Sequence, residues 1–268
     1  MLQIVHKLVH KISSALGYDL TLRADRPQVF EYPFINTLEL ILHTYPRQNS
    51  DFFFIQIGAH DGNSADPIHQ LVKQHHWRGL LIEPQITVFE RLKQTYAGED
   101  QLVFENAAVG AEDGTATLYT VRDEQSVLPF WLSQSASLDR EQVRGALYYW
   151  KYVRQLDAIP DDYESLIAAL PIPALTIKTL LAKHQIQQLD LLVIDTMGFD
   201  FEIIKMFPFD VLKPAIIHFE HSLLSSADQE RCFKYLASLG YGLTRVSVDT
   251  IAYLNAPIRQ GRYSVSAA

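Results

Sequence analysis

The chain of 268 residues has one cysteine, Cys232. No internal disulfide can form, and a cysteine-based structural zinc site is excluded. Basic residues are also short: 23 Lys and Arg stand against 31 Asp and Glu, for a net charge of −8. An acidic chain is a poor general binder of polyanions, so no nucleic-acid partner is expected. No apolar run reaches the roughly 18 residues that a membrane span needs. What is present is a hydrophobic fraction of 48% with 14 Phe and 13 Tyr, ample for one large core and far from the composition of a disordered chain.

Residues 1–16 (MLQIVHKLVHKISSAL) lack the unbroken apolar stretch of a signal peptide, because His6, Lys7, His10 and Lys11 interrupt it. Leu2, Val5, Leu8, Val9, Ile12 and Leu16 recur at helical spacing and predict an amphipathic helix, with Gly17 as its stop. Packing on the body of the protein is the main expectation for it, and contact with a membrane surface the alternative. The expected location is the cytoplasm. Residues 1–50 are read as a helical N-terminal extension with a further helix over 34–44, residues 51–254 as the main domain, and 255–268 as a tail.

From residue 52 short apolar runs alternate with amphipathic stretches. Strands are predicted at 52–57, 79–82, 102–109, 189–194 and 215–219, with an edge or hairpin strand at 115–120. Helices are predicted after Asp66-Pro67, after Pro84, over 201–207, and from the capping box Ser225-x-x-Asp228 to Gly240. Residues 121–175 break the alternation. They carry Trp131, Tyr148, Tyr149, Trp150, Tyr152 and Tyr163 and read as an aromatic-rich insertion that caps an acceptor pocket, with Trp131, Tyr148, Tyr149 and Trp150 expected in its core ahead of the pocket wall. The last two strands, 241–247 and 250–254, are joined by a turn alone and should pair antiparallel. The expected fold class is therefore α/β: a mainly parallel, doubly wound Rossmann-like sheet ending in an antiparallel hairpin, as in class I methyltransferases.

Ligands of such sheets sit beyond the carboxyl ends of the strands. The first strand ends in Gln56-Ile57-Gly58-Ala59-His60-Asp61-Gly62, where glycines allow backbone to approach a ligand. The second ends in Glu83, 25 residues after Gly58, a spacing at which an acid accepts hydrogen bonds from ribose hydroxyls. The third ends in Asn106-Ala107-Ala108, small enough to leave room for adenine. The fourth ends in Asp195-Thr196-Met197-Gly198 and the fifth in Glu220-His221.

These segments, in this order, resemble the FkbM-type S-adenosylmethionine-dependent methyltransferases. The resemblance rests on residues 54–62, Leu81-Ile82-Glu83-Pro84, Asn106-Ala107-Ala108, residues 189–200, Phe219-Glu220-His221 and residues 249–253. It implies S-adenosylmethionine as cofactor, Gly58 and Gly62 at its methionine end, Glu83 on the ribose, and Asn106 with Ala107 beside the adenine. It places Asp195 between cofactor and acceptor, and implies O-methylation of a hydroxyl on a sugar or another small molecule. Three positions depart from the family's habit: Gln56 where an acid is usual, His60 where a glycine is often found, and Met197 where a glutamate is common. Gln56 and His60 retain hydrogen-bonding capacity and stay in the cofactor set. The hydroxyl acceptor must lose a proton, and His221 is the first candidate base, followed by Asp195 and then His60. Glu220 is placed with the catalytic group as the partner of His221. Asp195, Glu220 and His221 as a metal site is a further alternative, but no tight ligand spacing supports it, so the expectation is no metal. A non-catalytic binding protein on the same fold also stays open, motivated by Met197. A nicotinamide enzyme is disfavoured: Gly58-x-x-x-Gly62 is not G-x-G-x-x-G, and Tyr148 and Lys151 are three residues apart, not four.

Overall fold

A computed structural model describes residues 37–43, 52–123, 128–129, 132 and 135–254. The amphipathic pattern of 1–16, Trp131 and the tail 255–268 lie outside the described residues. The main sheet is assembled from β1 (Phe53–Ile57), β2 (Arg78–Ile82), β3 (Leu102–Glu105), β8 (Leu191–Ile194), β9 (Ile216–Glu220), β10 (Tyr241–Val246) and β11 (Asp249–Leu254). Their spatial order is β10-β11-β9-β8-β1-β2-β3. All contacts from β3 across to β9 are parallel, and β11 pairs antiparallel with both β9 and β10. This is the Rossmann-like class I methyltransferase arrangement with its C-terminal antiparallel hairpin.

Helices cover both faces because the central strands are apolar on both sides. On one face, α1 (Thr37–His43), α2 (His69–His75) and α3 (Ile86–Thr95) bring Leu38, Leu42, Leu71, Val72, Phe89 and Leu92 against Phe54, Leu81, Leu191 and Val193. The insertion contributes α4 (Arg140–Tyr148). On the opposite face of the sheet, α5 (Ile177–Lys183), α6 (Asp200–Met206) and α7 (Ser226–Ser238) bring Ile177, Leu180, Phe201, Ile204, Cys232 and Leu236 against Ile55, Ile57, Leu192, Ile194 and Ile217. The capping chemistry follows the sequence. Ser225 Oγ accepts from the Asp228 amide, Asp139 caps α4 and Thr176 caps α5. Asp66 acts from slightly farther upstream than a simple N-cap: α2 begins at His69, and Asp66 Oδ1 accepts from the Ile68 and His69 amides.

Two features differ from the sequence reading. Residues 102–109 do not form one strand: the chain leaves the main sheet after Glu105 and enters a second sheet as β4 (Ala108–Val109). That sheet, ordered β4-β7-β5-β6, contains β5 (Gly114–Val121), β6 (Ala136–Ser137) and β7 (Ile167–Leu175). β7 pairs with the full length of β5, so the added body starts at Ala108 and not at 121. Long-range pairing of this kind leaves no local sequence signal. Among the described residues none of the insertion's aromatics lines the cavity, as the core reading of them expects. Trp150 and Tyr163 pack on a local core of Val121, Leu132, Val143, Leu147 and Ile159, and the rings of Tyr148, Tyr152 and Tyr163 meet one another tilted or edge-on.

Ile204 is fully buried between α6 and the sheet. Ile204→Ala removes apolar volume from a close-packed layer and should lower unfolding stability by roughly 2–5 kcal/mol in urea titrations. A loss under about 1 kcal/mol would contradict the packing described.

Candidate active site

Five parallel strands end at one level, and a cavity of about 360 Å³ opens above them. Its floor is set by β1 and β8, which pair in register up to Ile57 and Ile194. Gly58 follows with φ of 79°, in the left-handed region that favours glycine. A Cβ on Gly58 would overlap the Asp195 carbonyl oxygen, so the two loops touch backbone to backbone. The Gly58 and Ala59 amides both donate to the Ile82 carbonyl at 3.0 Å, anchoring the loop to β2.

On the β2–β3 side the cavity is lined by Glu83, Pro84, Gln85, Ala107, Ala108 and Val109. Glu83 Oε2 accepts from the His60 amide at 3.0 Å and Oε1 from the Gln85 amide at 2.8 Å. Burial pushes its carboxyl up to about 7, against the opposing pull of those two amides. Asn106 does not line the cavity. Its Nδ2 donates to the carbonyls of Glu83 and Pro84 at 2.8 and 3.1 Å, so it holds the Glu83 turn from behind. Gln56 is also behind the wall, buried, with Nε2 donating to Asp66 Oδ2 at 3.2 Å. Gly62 packs on α3, where a Cβ would press on Leu92 and Tyr96. His60 does face the cavity, beside Asp61.

On the β8–β9 side stand Asp195, Thr196, Met197, Phe199, Ile203, Glu220 and Leu223. Asp195 is accessible from the cavity, yet the enclosing protein raises its carboxyl above the usual range. Glu220 is pushed up to about 7, by burial first and by the neighbouring charge of Asp195 second. Ser222 Oγ donates to Glu220 Oε1 at 2.5 Å. His221 stands apart from these groups. It does not line the cavity, its Nδ1 meets Thr250 Oγ1 at 3.0 Å, and its ring packs edge-on against Phe233. Burial lowers its pKa and keeps the ring neutral. The structure therefore brings Asp195 and Glu220 together and turns His221 toward β11 and α7. Among the described residues no group of three or more His, Cys, Asp or Glu side chains is placed to hold a metal ion.

Sequence reasoning assigned no role to Asp200, which is fully buried. Its Oδ2 accepts from Thr196 Oγ1 at 2.9 Å and from the Thr196 amide at 3.3 Å, and its Oδ1 accepts from the Glu220 amide at 3.3 Å. One carboxyl thus ties the strand end that carries Asp195 to the strand end that carries Glu220. Only its position five residues after Asp195 hinted at this. Met197 adopts φ of 51°, and its carbonyl accepts from Ser137 Oγ at 3.1 Å. Through Ser137 the inserted body fixes the loop on which Met197 sits. Ser135, Ala136, Ser137 and Leu138 supply a further wall of the cavity with Leu118, none of which the sequence singled out.

The fold is of the Rossmann-like class, and the cavity spans the switch from β2–β3 to β8–β9, with an acid at the end of β2. The model of the methyltransferase FkbM domain matches residues 56–243, and the chain belongs to that family. No curated protein matches the chain. Solved structures that resemble it include the methyltransferase FkbM from Methylobacillus flagellatus, at 13% identity and a TM-score of 0.45. The match covers 78% of this chain and 45% of that one, so this chain spans under half the length of that relative. Precorrin-6y C5,15-methyltransferase from Geobacter metallireducens is 11% identical with a TM-score of 0.38, covering 86% of this chain and 93% of that one. A human methyltransferase 10 domain containing protein is 11% identical with a TM-score of 0.39, covering 94% and 97%.

Two outcomes test the geometry. Asp200→Ala leaves the Thr196 hydroxyl and two amides without an acceptor and should cost roughly 1–3 kcal/mol for each group that stays buried and unpaired, read by urea unfolding. Gly58→Ala should abolish cofactor binding or folding, because the added carbon meets backbone; a variant with wild-type melting temperature and ligand affinity would refute the close approach.

Proposed function

We propose that the protein transfers a methyl group from S-adenosylmethionine to a hydroxyl of a sugar or another small molecule, with Glu220 and Asp195 as the proton-accepting pair. The observation that carries this is the division of one cavity into a half with Glu83 and small residues and a half with two carboxylates of raised pKa. The residues present fit the cofactor. Glu83 is a buried carboxylate with lone pairs for a diol, Ala107 to Val109 leave a flat apolar slot, and the Gly58 turn admits ligand close to backbone. The cavity volume lies within the range of small-molecule sites. Gln56, Asn106 and Gly62 support that site from behind, and His60 shares its wall.

When bound, the cofactor supplies an electrophilic methyl group. The chain's own part is to position the acceptor, exclude water and take the hydroxyl proton. A base works best when its pKa lies near the working pH, which describes Glu220. Ser222 engages Oε1, leaving Oε2 as the oxygen to receive the proton. Asp195 sits one strand closer to the cofactor half. His221, neutral and hydrogen-bonded to Thr250, serves the reading better as a buttress behind Glu220 than as the base. Met197 places a thioether where relatives commonly carry a glutamate, and a non-catalytic binding protein is the reading that this favours instead. Among the described residues no helix is long and apolar enough to cross a membrane.

Calorimetry with S-adenosylhomocysteine should show binding, and Glu83→Ala should weaken it by roughly 1.5–3 kcal/mol, the range for hydrogen bonds to a charged group. Absence of heat and of thermal shift at millimolar ligand would sink the cofactor assignment. Transfer of labelled methyl to a panel of hydroxylated acceptors should rise with pH as Glu220 loses its proton around 7. Glu220→Gln should lower turnover by about 10²–10⁴-fold, whereas His221→Ala should chiefly lower stability. Binding without transfer to any acceptor would favour the non-catalytic reading.

A further inference from the structure

The described wall of the cavity contains three carboxylates, Glu83, Asp195 and Glu220, and neither a lysine nor an arginine. His60 is its one basic side chain among the described residues. The carboxylates are not spread evenly. Glu83 ends β2, while Asp195 and Glu220 end β8 and β9, on the far side of β1. Neighbouring strands lie about 4.8 Å apart. A cofactor with its ribose at Glu83 and its adenine toward Ala107 therefore points its sulfur toward the β1–β8 boundary, at Gly58 and Asp195.

We infer that Asp195 and Glu220 make the cavity a reader of sulfur charge, binding the sulfonium donor more tightly than the neutral thioether product. The inference rests on the cofactor reading above and adds a property of the chain's own residues. Donor and product share adenine, ribose, amino group and carboxylate, so Glu83 and His60 act almost equally on both. The sulfur is what differs, and it carries a positive charge only in the donor. Coulomb attraction from a carboxylate in a partly enclosed cavity is far stronger than in water, because fewer water dipoles screen it. The same pair that takes the acceptor proton would thus also favour release of product once the sulfur has lost its charge.

The discrimination carries a pH signature. Glu220 is faced by Asp195 from the end of β8, by Asp249 from β11, where the two are register partners, and by Asp200 from α6. All three are acidic, and Ser222 donates the hydroxyl hydrogen bond. Asp249 is itself next to His218, at 3.8 Å. Burial first, and crowding by like charge second, push the Glu220 carboxyl up to about 7. Below that pH Glu220 is neutral and its attraction for the sulfonium is lost; above it the attraction is present.

The test is calorimetric and needs no acceptor. Affinities of the wild-type protein for S-adenosylmethionine and S-adenosylhomocysteine are measured from pH 6 to pH 8.5. We expect the donor to bind roughly tenfold or more tightly than the product at the alkaline end, with the ratio shrinking several-fold at the acid end. In Glu220→Gln the ratio should be small and flat with pH, and Asp195→Asn should reduce it further. Equal affinities across the range, or a pH-dependent ratio that survives Glu220→Gln unchanged, would overturn the inference. Failure of both ligands to bind would overturn the cofactor reading instead. The wild-type series decides the question even if a variant does not fold.

Discussion

The common ending of β1 and β8 is the constraint on which the site depends. Their parallel register brings Ile57 and Ile194 side by side, and the next residues must then share a narrow space. Gly58 solves this by having no Cβ to meet the Asp195 carbonyl. Once the backbones touch, the loops can only diverge outward. One turns toward Glu83, the other toward Thr196 and Met197, and the gap between them is the cavity. Asp200 then holds the second loop to β9, so Asp195 and Glu220 stay on one wall.

Electrostatics follow from that enclosure. Carboxylates collected at strand ends, with few cations near, are each made harder to ionise. Glu83 and Glu220 both reach about 7, but their surroundings differ. Glu83 receives two backbone amides and is held as a fixed acceptor. Glu220 instead accepts from the Ser222 hydroxyl and is faced by Asp195, Asp249 and Asp200. Two glutamates at the ends of strands thus sit in different hydrogen-bonding surroundings.

The inserted body matters through small residues more than through its aromatics. Ser137 bonds the Met197 carbonyl, and Ala136 and Leu138 close the cavity. Its described rings serve a local core and an edge-on cluster of tyrosines, because a body of that size needs its own apolar interior. The identity of a residue thus says little about which side of an insertion it serves.

The α/β class, the mainly parallel sheet, the closing hairpin and the family were legible in the sequence. Hydrophobic runs, capping residues and strand-end motifs are local signals, and they recur wherever strand must pass to helix. Glu83, Gly58, Ala107, His60, Asp195 and Glu220, which line the cavity, stood out in the sequence because a strand's last residue announces itself by the end of an apolar run. The division of labour among them was decided only in three dimensions. Gln56 and Asn106 share the same motifs yet face away from the cavity, since a strand alternates its faces and side-chain direction depends on what packs behind. His221 follows Glu220 by one residue and for that reason points elsewhere, onto Thr250. The link from Ser137 to Met197 spans 60 residues and that from Asp200 to Glu220 spans 20, and no spacing in the sequence shows either partner. Periodicity and chain punctuation determined which elements form; the contacts between strand ends, made by residues far apart in the chain, determined which groups meet in the site.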